Sequence, residues 1–151
     1  MSNDSRNSSA HSKNTRREAR ELVLRMLFQI DLGKQPASDV IIAGLSQSQL
    51  DEKNSSFAVD VTNGTLQNLK AIDRKIQSFA SDWTLDRQAA VDRNILRLAT
   101  YEILYLHDAP VAAVVNEAVE LAKKYSTAES GKFVNGILGA IARQPVESTT
   151  D

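Results

Sequence analysis

The sequence predicts an all-α protein of about seven helices. Apolar side chains recur every three or four residues along most of the 151-residue chain, which is the spacing of a helix face that packs on a core. No stretch alternates apolar and polar residues between tight-turn signals, so β-hairpins are not indicated. Between the two polar ends of the chain the only prolines, Pro36 and Pro110, lie where a helical pattern stops, as expected because proline breaks helix interiors.

The first two predicted helices each have a start signal and an apolar stripe. One covers about 16–32, with Thr15 as its N-cap and Gly33 at its end. A shorter helix covers about 39–47 and is capped by Ser38. Their apolar positions are Ala19, Leu22, Val23, Met26 and Ile30 in the first helix, and Val40, Ile41 and Leu45 in the second.

The middle of the chain predicts three helices. A long pattern over about 55–80 is bent or divided at Gly64, and residues 83–85 form a connector. The helix over about 88–106 is apolar on most of its faces, which is typical of a central helix. The apolar positions are Phe57, Val61, Leu69, Ile72, Ile76 and Phe79, then Val91, Ile95, Leu96, Leu98, Ala99, Ile103 and Leu106.

The last two predicted helices follow Pro110. One covers about 111–125, and the other covers about 131–142 with Ser130 as its cap. Their apolar positions are Val111, Val114, Val115, Ala118 and either Leu121 or Ala122 in the first, and Phe133, Val134, Ile137, Leu138 and Ile141 in the second. The two ends of the chain, 1–14 and 144–151, are rich in small polar and charged residues, and this composition predicts disordered tails. The ordered part is therefore about 15–143.

Composition excludes several classes of protein. The chain has no Cys, which rules out disulfide scaffolds, thiolate zinc sites, iron–sulfur clusters and cysteine nucleophiles. Two His residues make a His-rich metal site unexpected, and no phosphate loop or dinucleotide-binding glycine motif is present. No apolar run approaches the roughly 20 residues of a membrane span, and no signal peptide is apparent. These features predict a soluble intracellular protein, cytoplasmic by default, and give little support to an enzyme or a metal site.

Charge is concentrated at the N-terminal end. Six basic and three acidic residues fall within the first 25 positions, whereas the whole chain has a formal net charge of −1. Arg16, Arg17 and Arg20 lie at the start of the first predicted helix. Arginine suits phosphate because its planar guanidinium donates two parallel hydrogen bonds, so the cluster is a candidate RNA-binding element. The alternative is that these arginines are solvated and pair with Glu18 and Glu21.

A second candidate site is the segment 130–136, with the sequence SGKFVNG. Lys132 can reach a phosphate, and an exposed Phe133 can stack on an unpaired base. The alternative is that Phe133 belongs to the core and Lys132 is solvated.

These segments together carry a family resemblance. The segments 86–102 (DRQAAVDRNILRLATYE), 116–125 (NEAVELAKKY) and 131–138 (GKFVNGIL) closely resemble the NusB family of transcription antitermination factors. The opening 16–21 (RREARE) resembles the arginine-rich start of that family. The resemblance runs from about 16 to 142, and the ordered combination of motifs makes it specific.

The resemblance implies a fold and a function. The family is all-helical, with two packed subdomains that here correspond to about 15–80 and 81–143. Its members bind the boxA element of nascent RNA, notably ribosomal RNA, together with NusE, a small-subunit ribosomal protein. The complex joins NusA, NusG and RNA polymerase and lets the polymerase read through terminators. Relatives include monomers and dimers, which leaves a homodimer open, and no membrane contact, catalysis or cofactor is implied.

The resemblance also implies site residues. Arg16, Arg17 and Arg20 match the RNA-contacting arginine motif, and Lys132 and Phe133 match positions near the bound RNA.

Three further matches are implied. Phe28 and Asp92 match positions on the NusE-facing surface. Glu129 matches an acidic position that tempers RNA affinity, as a carboxylate beside phosphate does by repulsion. One departure is Glu18, which interrupts an arginine run that some relatives continue.

Two alternatives remain beside this interpretation. A NusB-like domain also occurs fused to RNA cytosine methyltransferases, although a chain of 151 residues has no room for an S-adenosylmethionine domain. The other alternative is a protein-only interaction module in which the arginine cluster is merely solvated.

Overall fold

Seven α-helices and no β-strand form the part of the chain that the structure, a computed structural model, describes: residues 2–80 and 83–144, with side chains from residue 16 onward. The predicted all-α class is therefore confirmed. The helices are α1 (Ser2–Leu32), α2 (Ala37–Gln47), α3 (Glu52–Gln67), α4 (Leu69–Phe79), α5 (Ala90–Tyr101), α6 (Val111–Tyr125) and α7 (Ala128–Arg143).

The chain divides into two compact units, Met1–Asn63 and Gly64–Asp151. The family resemblance puts a subdomain boundary near residue 80, whereas this division falls inside α3. The reason is that α4 packs on α5 and α7 and so belongs to the second unit. Residues 145–151 of the predicted C-terminal tail lie outside the described residues.

The first helix is longer than predicted. Its backbone is helical from Ser2, so Thr15 is inside α1 and is not its N-cap. Neither Gly nor Pro occurs in the first 15 residues, so no residue there interrupts the hydrogen-bond ladder. The disordered tail over 1–14 precedes the first described side chain and stays a prediction from composition. The predicted stop is confirmed, since α1 ends at Leu32 and the Gly33 amide donates to the Gln29 carbonyl at 2.7 Å.

The second helix begins two residues earlier than predicted. Pro36 is its N-cap, and the Pro36 carbonyl accepts the amides of Asp39 and Val40 at 3.1 and 3.3 Å. Ser38 therefore lies inside α2 and does not cap it. Proline favours this start because it has no amide hydrogen to satisfy and its φ is already helical.

The break in the long helical pattern falls at Asn68 and not at Gly64. Asn68 separates α3 from α4, and its side-chain amide donates to the Gly64 carbonyl at 2.8 Å. An Asn side chain that bonds a backbone carbonyl competes with the helical ladder, which explains the break at this residue. Helix α3 also begins earlier than the predicted residue 55. It starts at Glu52, because the Asp51 carboxylate accepts a hydrogen bond from the Asn54 backbone amide at 2.9 Å.

The first unit is built on the predicted stripes of its helices. The α1 side chains Ala19, Leu22, Val23 and Met26 are buried, while Ile30 is half-buried. α2 packs on α1 and buries its predicted residues Val40 and Ile41, whereas Leu45 is half-buried. α3 contributes Phe57, Ala58 and Val61.

The second unit is organised around α5, as its predicted apolar circumference suggested. α4, α6 and α7 all pack on α5, which buries Ile95, Leu96, Leu98 and Ala99. The Arg97 guanidinium binds both carboxylate oxygens of Asp73 on α4, at 2.8 and 2.9 Å. A bidentate pair of this kind fixes the direction as well as the distance between two helices.

The end of α5 departs from regular α-helical geometry. The segment Glu102–Leu106 forms a π-helical turn, which closes when the His107 amide donates to the Glu102 carbonyl at 3.1 Å. His107 has a φ of 55°, a left-handed conformation that ends the helix before Pro110. By contrast, α6 has the predicted bounds of 111–125.

Gly64 permits a close approach within the second unit. A Cβ added at Gly64 would lie 2.2–2.4 Å from ring atoms of Tyr101, whereas one at Gly136 on α7 would meet nothing within 4 Å. We expect Gly64→Ala to lower the free energy of unfolding by about 1–3 kcal/mol, since the Tyr101 ring must move. Gly136→Ala should raise it by up to about 1 kcal/mol through helix propensity. Urea unfolding of both variants tests this contrast, and equal effects would contradict it.

Candidate nucleic-acid interface

The three predicted arginines of α1 occupy different environments. Arg17 is exposed, Arg16 is half-buried, and Arg20 is only 6% exposed. The Arg16 guanidinium carbon lies 4.0 Å from the centroid of the Phe57 ring, and that of Arg20 lies 5.5 Å from it. Both guanidinium groups therefore have cation–π contact with one ring of α3.

This packing separates the arginine cluster into two roles. Arg17 presents its charge to solvent, whereas Arg20 is part of the packed interior of the first unit. A stacked guanidinium keeps its in-plane hydrogen-bond donors, so Arg16 combines contact with Phe57 and partial access to solvent. The sequence therefore locates the cluster but does not indicate that Arg20 is buried.

The second predicted site lies at the start of α7, in the second unit. The helix begins at Ala128, because Thr127 is its N-cap and its hydroxyl oxygen accepts the Ser130 amide at 3.0 Å. Ser130 is therefore not the cap that the sequence predicted. Its hydroxyl instead donates to the Asp92 carboxylate at 2.8 Å, which joins the start of α7 to the start of α5.

Lys132 and Glu129 form an exposed ion pair on the first turns of α7. The Lys132 Nζ and Glu129 Oε1 atoms are 3.5 Å apart, and the two side chains are 78% and 85% exposed. Both charges therefore face solvent, and the carboxylate offsets part of the lysine's positive charge before any anion arrives.

Phe133 lies beside a second aromatic side chain. It is half-buried, and its ring centroid is 6.3 Å from that of Trp83, with an angle of 46° between the rings. Trp83 is 56% exposed and is the only Trp of the chain. The sequence pattern places Trp83 in a connector and does not single it out as a site residue, although Trp is enriched at interfaces.

A surface cavity of about 370 Å³ opens beside these two rings. Gln88, Asp92 and Ser130 also line it. The connector that leads from Trp83 to α5 contains Asp86, whose pKa is lowered, chiefly by a hydrogen bond from the Thr84 side chain.

The two residues predicted to face NusE are placed differently from each other. Phe28 is half-buried on α1 in the first unit, so part of its ring is accessible. Asp92 on α5 is only 8% exposed and accepts the hydrogen bond from Ser130. A direct contact with a partner therefore suits Phe28 better than Asp92.

The described part of the chain has neither a candidate metal site nor a candidate membrane span. No group of three or more His, Cys, Asp or Glu side chains there could hold a metal ion. No helix among those residues is long and apolar enough to span a bilayer.

The fold and the two candidate sites define an all-helical protein that exposes basic side chains on α1 in the first unit, and basic and aromatic side chains on α7 and in the connector before α5 in the second. Residues 17–143 match the model of the NusB family, so the chain belongs to that family. Within it, the transcription antitermination protein NusB of Pelotomaculum thermopropionicum is 47% identical over 134 residues, covering 88% of this chain and 92% of the relative. The chain is thus a transcription antitermination factor of the NusB family.

Solved structures agree with this assignment. NusB of T. maritima matches with a TM-score of 0.81 and 39% identity, covering 87% of this chain and 92% of the other. A crystal structure of the antitermination factors NusB and NusE in complex with double-stranded RNA matches with a TM-score of 0.79 and 27% identity, covering 85% and 96%.

Because Arg20 is buried and Arg17 is exposed, the two arginines should contribute differently to the stability of the fold. We expect Arg20→Ala to lower the free energy of unfolding by about 1–2 kcal/mol, because it removes a desolvated guanidinium from the Phe57 ring. Arg17→Ala should change it by less than about 0.5 kcal/mol, since Arg17 is exposed. Urea unfolding monitored by circular dichroism measures both variants, and equal losses of stability would show that Arg20 has no special packing role.

Proposed function

We propose that this protein binds the boxA element of nascent RNA, notably ribosomal RNA, together with the ribosomal protein NusE. The observation that carries the proposal is the exposure of Arg17 and Lys132 in a chain of the NusB family. The related crystal structure that contains NusB, NusE and double-stranded RNA supports both partners. In this proposal the bound complex reaches RNA polymerase through NusA and NusG, and the polymerase then reads through terminators.

The proposed role is that of a scaffold without catalysis of its own. Arginine and lysine contacts to phosphate give affinity that falls with salt. Sequence preference comes from bases that stack on Phe133 and are also hydrogen-bonded at their edges. A few phosphate contacts alone give weak binding under cellular salt. A protein partner that extends the RNA-binding surface raises the affinity without new contacts on this chain. Phe28, with its partly accessible ring, is the proposed NusE contact.

Fluorescence anisotropy with labelled boxA RNA and a scrambled control, each with and without NusE, tests the function at two salt concentrations. Preferential boxA binding that strengthens with NusE is the expected result. Equal, salt-sensitive binding to both RNAs would indicate a generic RNA binder. NusE binding that is indifferent to RNA would indicate a protein-only module.

Arg17 is expected to contact a phosphate group. Arg17→Ala should weaken boxA binding about tenfold, and it should make the log–log salt slope shallower by about 0.7, the contribution of one phosphate on a single strand. Arg25→Ala is the matched control, because it removes another exposed arginine from the same helix but from outside the cluster. Identical salt slopes for both variants and the wild type would refute the assignment of Arg17.

Glu129 is expected to weaken RNA binding through its ion pair with Lys132. Glu129→Gln should raise boxA affinity, because it removes a carboxylate that repels phosphate. The gain should be at most about fivefold, because exposed charges interact weakly in water. Glu120→Gln is the control, since Glu120 on α6 also pairs with a lysine three residues away, Lys123, at 3.9 Å. An equal gain in affinity from both variants would mean that only net charge matters.

A further inference from the structure

The first helix begins well before the part of the chain that the family match covers. The match starts at residue 17, whereas α1 starts at Ser2 and continues without a break to Leu32. About four helical turns therefore precede the match. Their sequence, SNDSRNSSAHSKNTR, contains one Ala and otherwise polar or charged residues, so no apolar stripe explains a helix there.

Packing further along α1 explains how these turns can be helical. Starting a helix costs more than extending one, because the first turn fixes three residues for a single hydrogen bond. In α1 that cost is offset beyond residue 16, where Ala19, Leu22 and Val23 are buried. The turns before residue 16 only extend an existing helix. Asp4 also falls in the first turn, where a negative charge suits the positive end of the helix dipole.

The basic residues of this segment fall in line with the exposed arginine of the cluster. Arg6, Lys13 and Arg17 are spaced by seven and four residues, which are two turns and one turn of a helix. At about 100° per residue, their three positions fall within an arc of about 40° around the axis of α1. We call these three positions the basic row.

The other charges of α1 set the limits of the basic row. Asp4 is the only acidic residue before Glu18, and its position is about 160° around the helix from that of Arg6. Further along the helix, the side of the row is buried at Arg20 and Leu24, so Arg17 is its last exposed member.

The length of the basic row suits a polyanion. It spans roughly 17 Å from position 6 to position 17, because a helix rises 1.5 Å per residue. Cations spread over that length match a chain of phosphate groups better than a single anion. Arg17 is already the proposed phosphate contact, so the same RNA strand can continue along the helix towards Ser2.

We propose that Arg6 and Lys13 extend the RNA-binding surface of Arg17, and that each contacts a phosphate group of RNA that follows α1. The inference rests on the proposed RNA binding and adds to it two contacts from outside the family match. Phosphate contacts carry no sequence information, because the backbone is the same at every nucleotide. The segment therefore raises the affinity for RNA and leaves the preference for boxA to the rest of the protein.

An exchange of neighbouring residues tests the register of the basic row without changing the composition. Asn7 follows Arg6, and Asn14 follows Lys13. Exchanging the members of each pair turns both cations by about 100° out of the row, while the net charge stays the same. The exchange variant carries Arg6→Asn, Asn7→Arg, Lys13→Asn and Asn14→Lys. A second variant, Arg6→Ala with Lys13→Ala, removes both charges.

Anisotropy titrations of the full chain with NusE and labelled boxA RNA, over a range of salt concentrations, compare these variants. We expect the alanine variant to bind about tenfold more weakly than the wild type, with a log–log salt slope shallower by about 1.4, the contribution of two phosphates on a single strand. The exchange variant should bind at least about threefold more weakly, because both cations leave the row. Preference for boxA over the scrambled RNA should be unchanged in both.

Proline substitutions test whether the helix must be continuous. Ser9→Pro interrupts the hydrogen-bond ladder between Arg6 and Lys13. We expect it to remove the contribution of Arg6 alone, which is about 0.7 in the salt slope. Ser2→Pro is the matched control and should bind RNA like the wild type, since proline is tolerated at the first helical position.

Three results would overturn the basic-row proposal. If the exchange variant binds like the wild type while the alanine variant binds more weakly, the two charges act without a helical register. If neither variant differs from the wild type, the segment does not contact RNA. If both variants bind NusE more weakly in the absence of RNA, the row contacts a protein. In each case, wild-type preference for boxA over the scrambled RNA would leave the proposed function standing, and absence of that preference would remove both.

Discussion

The hydrogen bond from Ser130 to Asp92 is the interaction on which the candidate site at the start of α7 depends. It joins the first turn of α7 to the first turn of α5 over 38 positions of the sequence. Thr127 fixes the start of α7 and Ser130 anchors it, so Glu129 and Lys132 project from a turn held at two points. Because charge-assisted hydrogen bonds to a buried carboxylate are strong, this turn is set before any ligand binds.

The arginine cluster of α1, in the first unit, depends on an aromatic ring instead. Phe57 is buried and contacts the guanidinium groups of both Arg16 and Arg20. A stacked guanidinium loses less side-chain entropy when it later binds a phosphate, because part of its motion is already restricted. The arginine cluster and the first turn of α7 are therefore held in place by different physical means.

Local signals in the sequence predicted the helices well but their first residues poorly. α6 has its predicted bounds because Pro110 sets its start without ambiguity. Ser130 and Thr127 both have the side chain of an N-cap, and only the extended backbone of Thr127, with φ of −136° and ψ of 168°, distinguishes them. That backbone conformation follows from tertiary packing, which a single sequence does not display.

The sequence predicted which positions belong to the candidate sites, but it did not predict how buried each side chain is or what it contacts. The sequence located Arg20, yet its burial depends on Phe57, which is distant in sequence. A partial signal existed, since Leu24 and Leu27 are buried as well and continue, at helical spacing, a stripe that begins at Arg20. The sequence likewise indicates a surface position for Asp92, because it does not show the hydrogen bond that Asp92 accepts from Ser130.

The π-helical turn at Glu102–Leu106 has a consequence for how this family varies in length. A π turn contains one residue more than the α-helical turn that it replaces. It therefore accommodates a single-residue insertion while the helix continues. The extra residue is taken up between the buried α5 and the left-handed His107, before α6 begins. Relatives that are one residue shorter here can restore a regular α-helix and keep the same core, so we expect gaps in family alignments to fall at this turn.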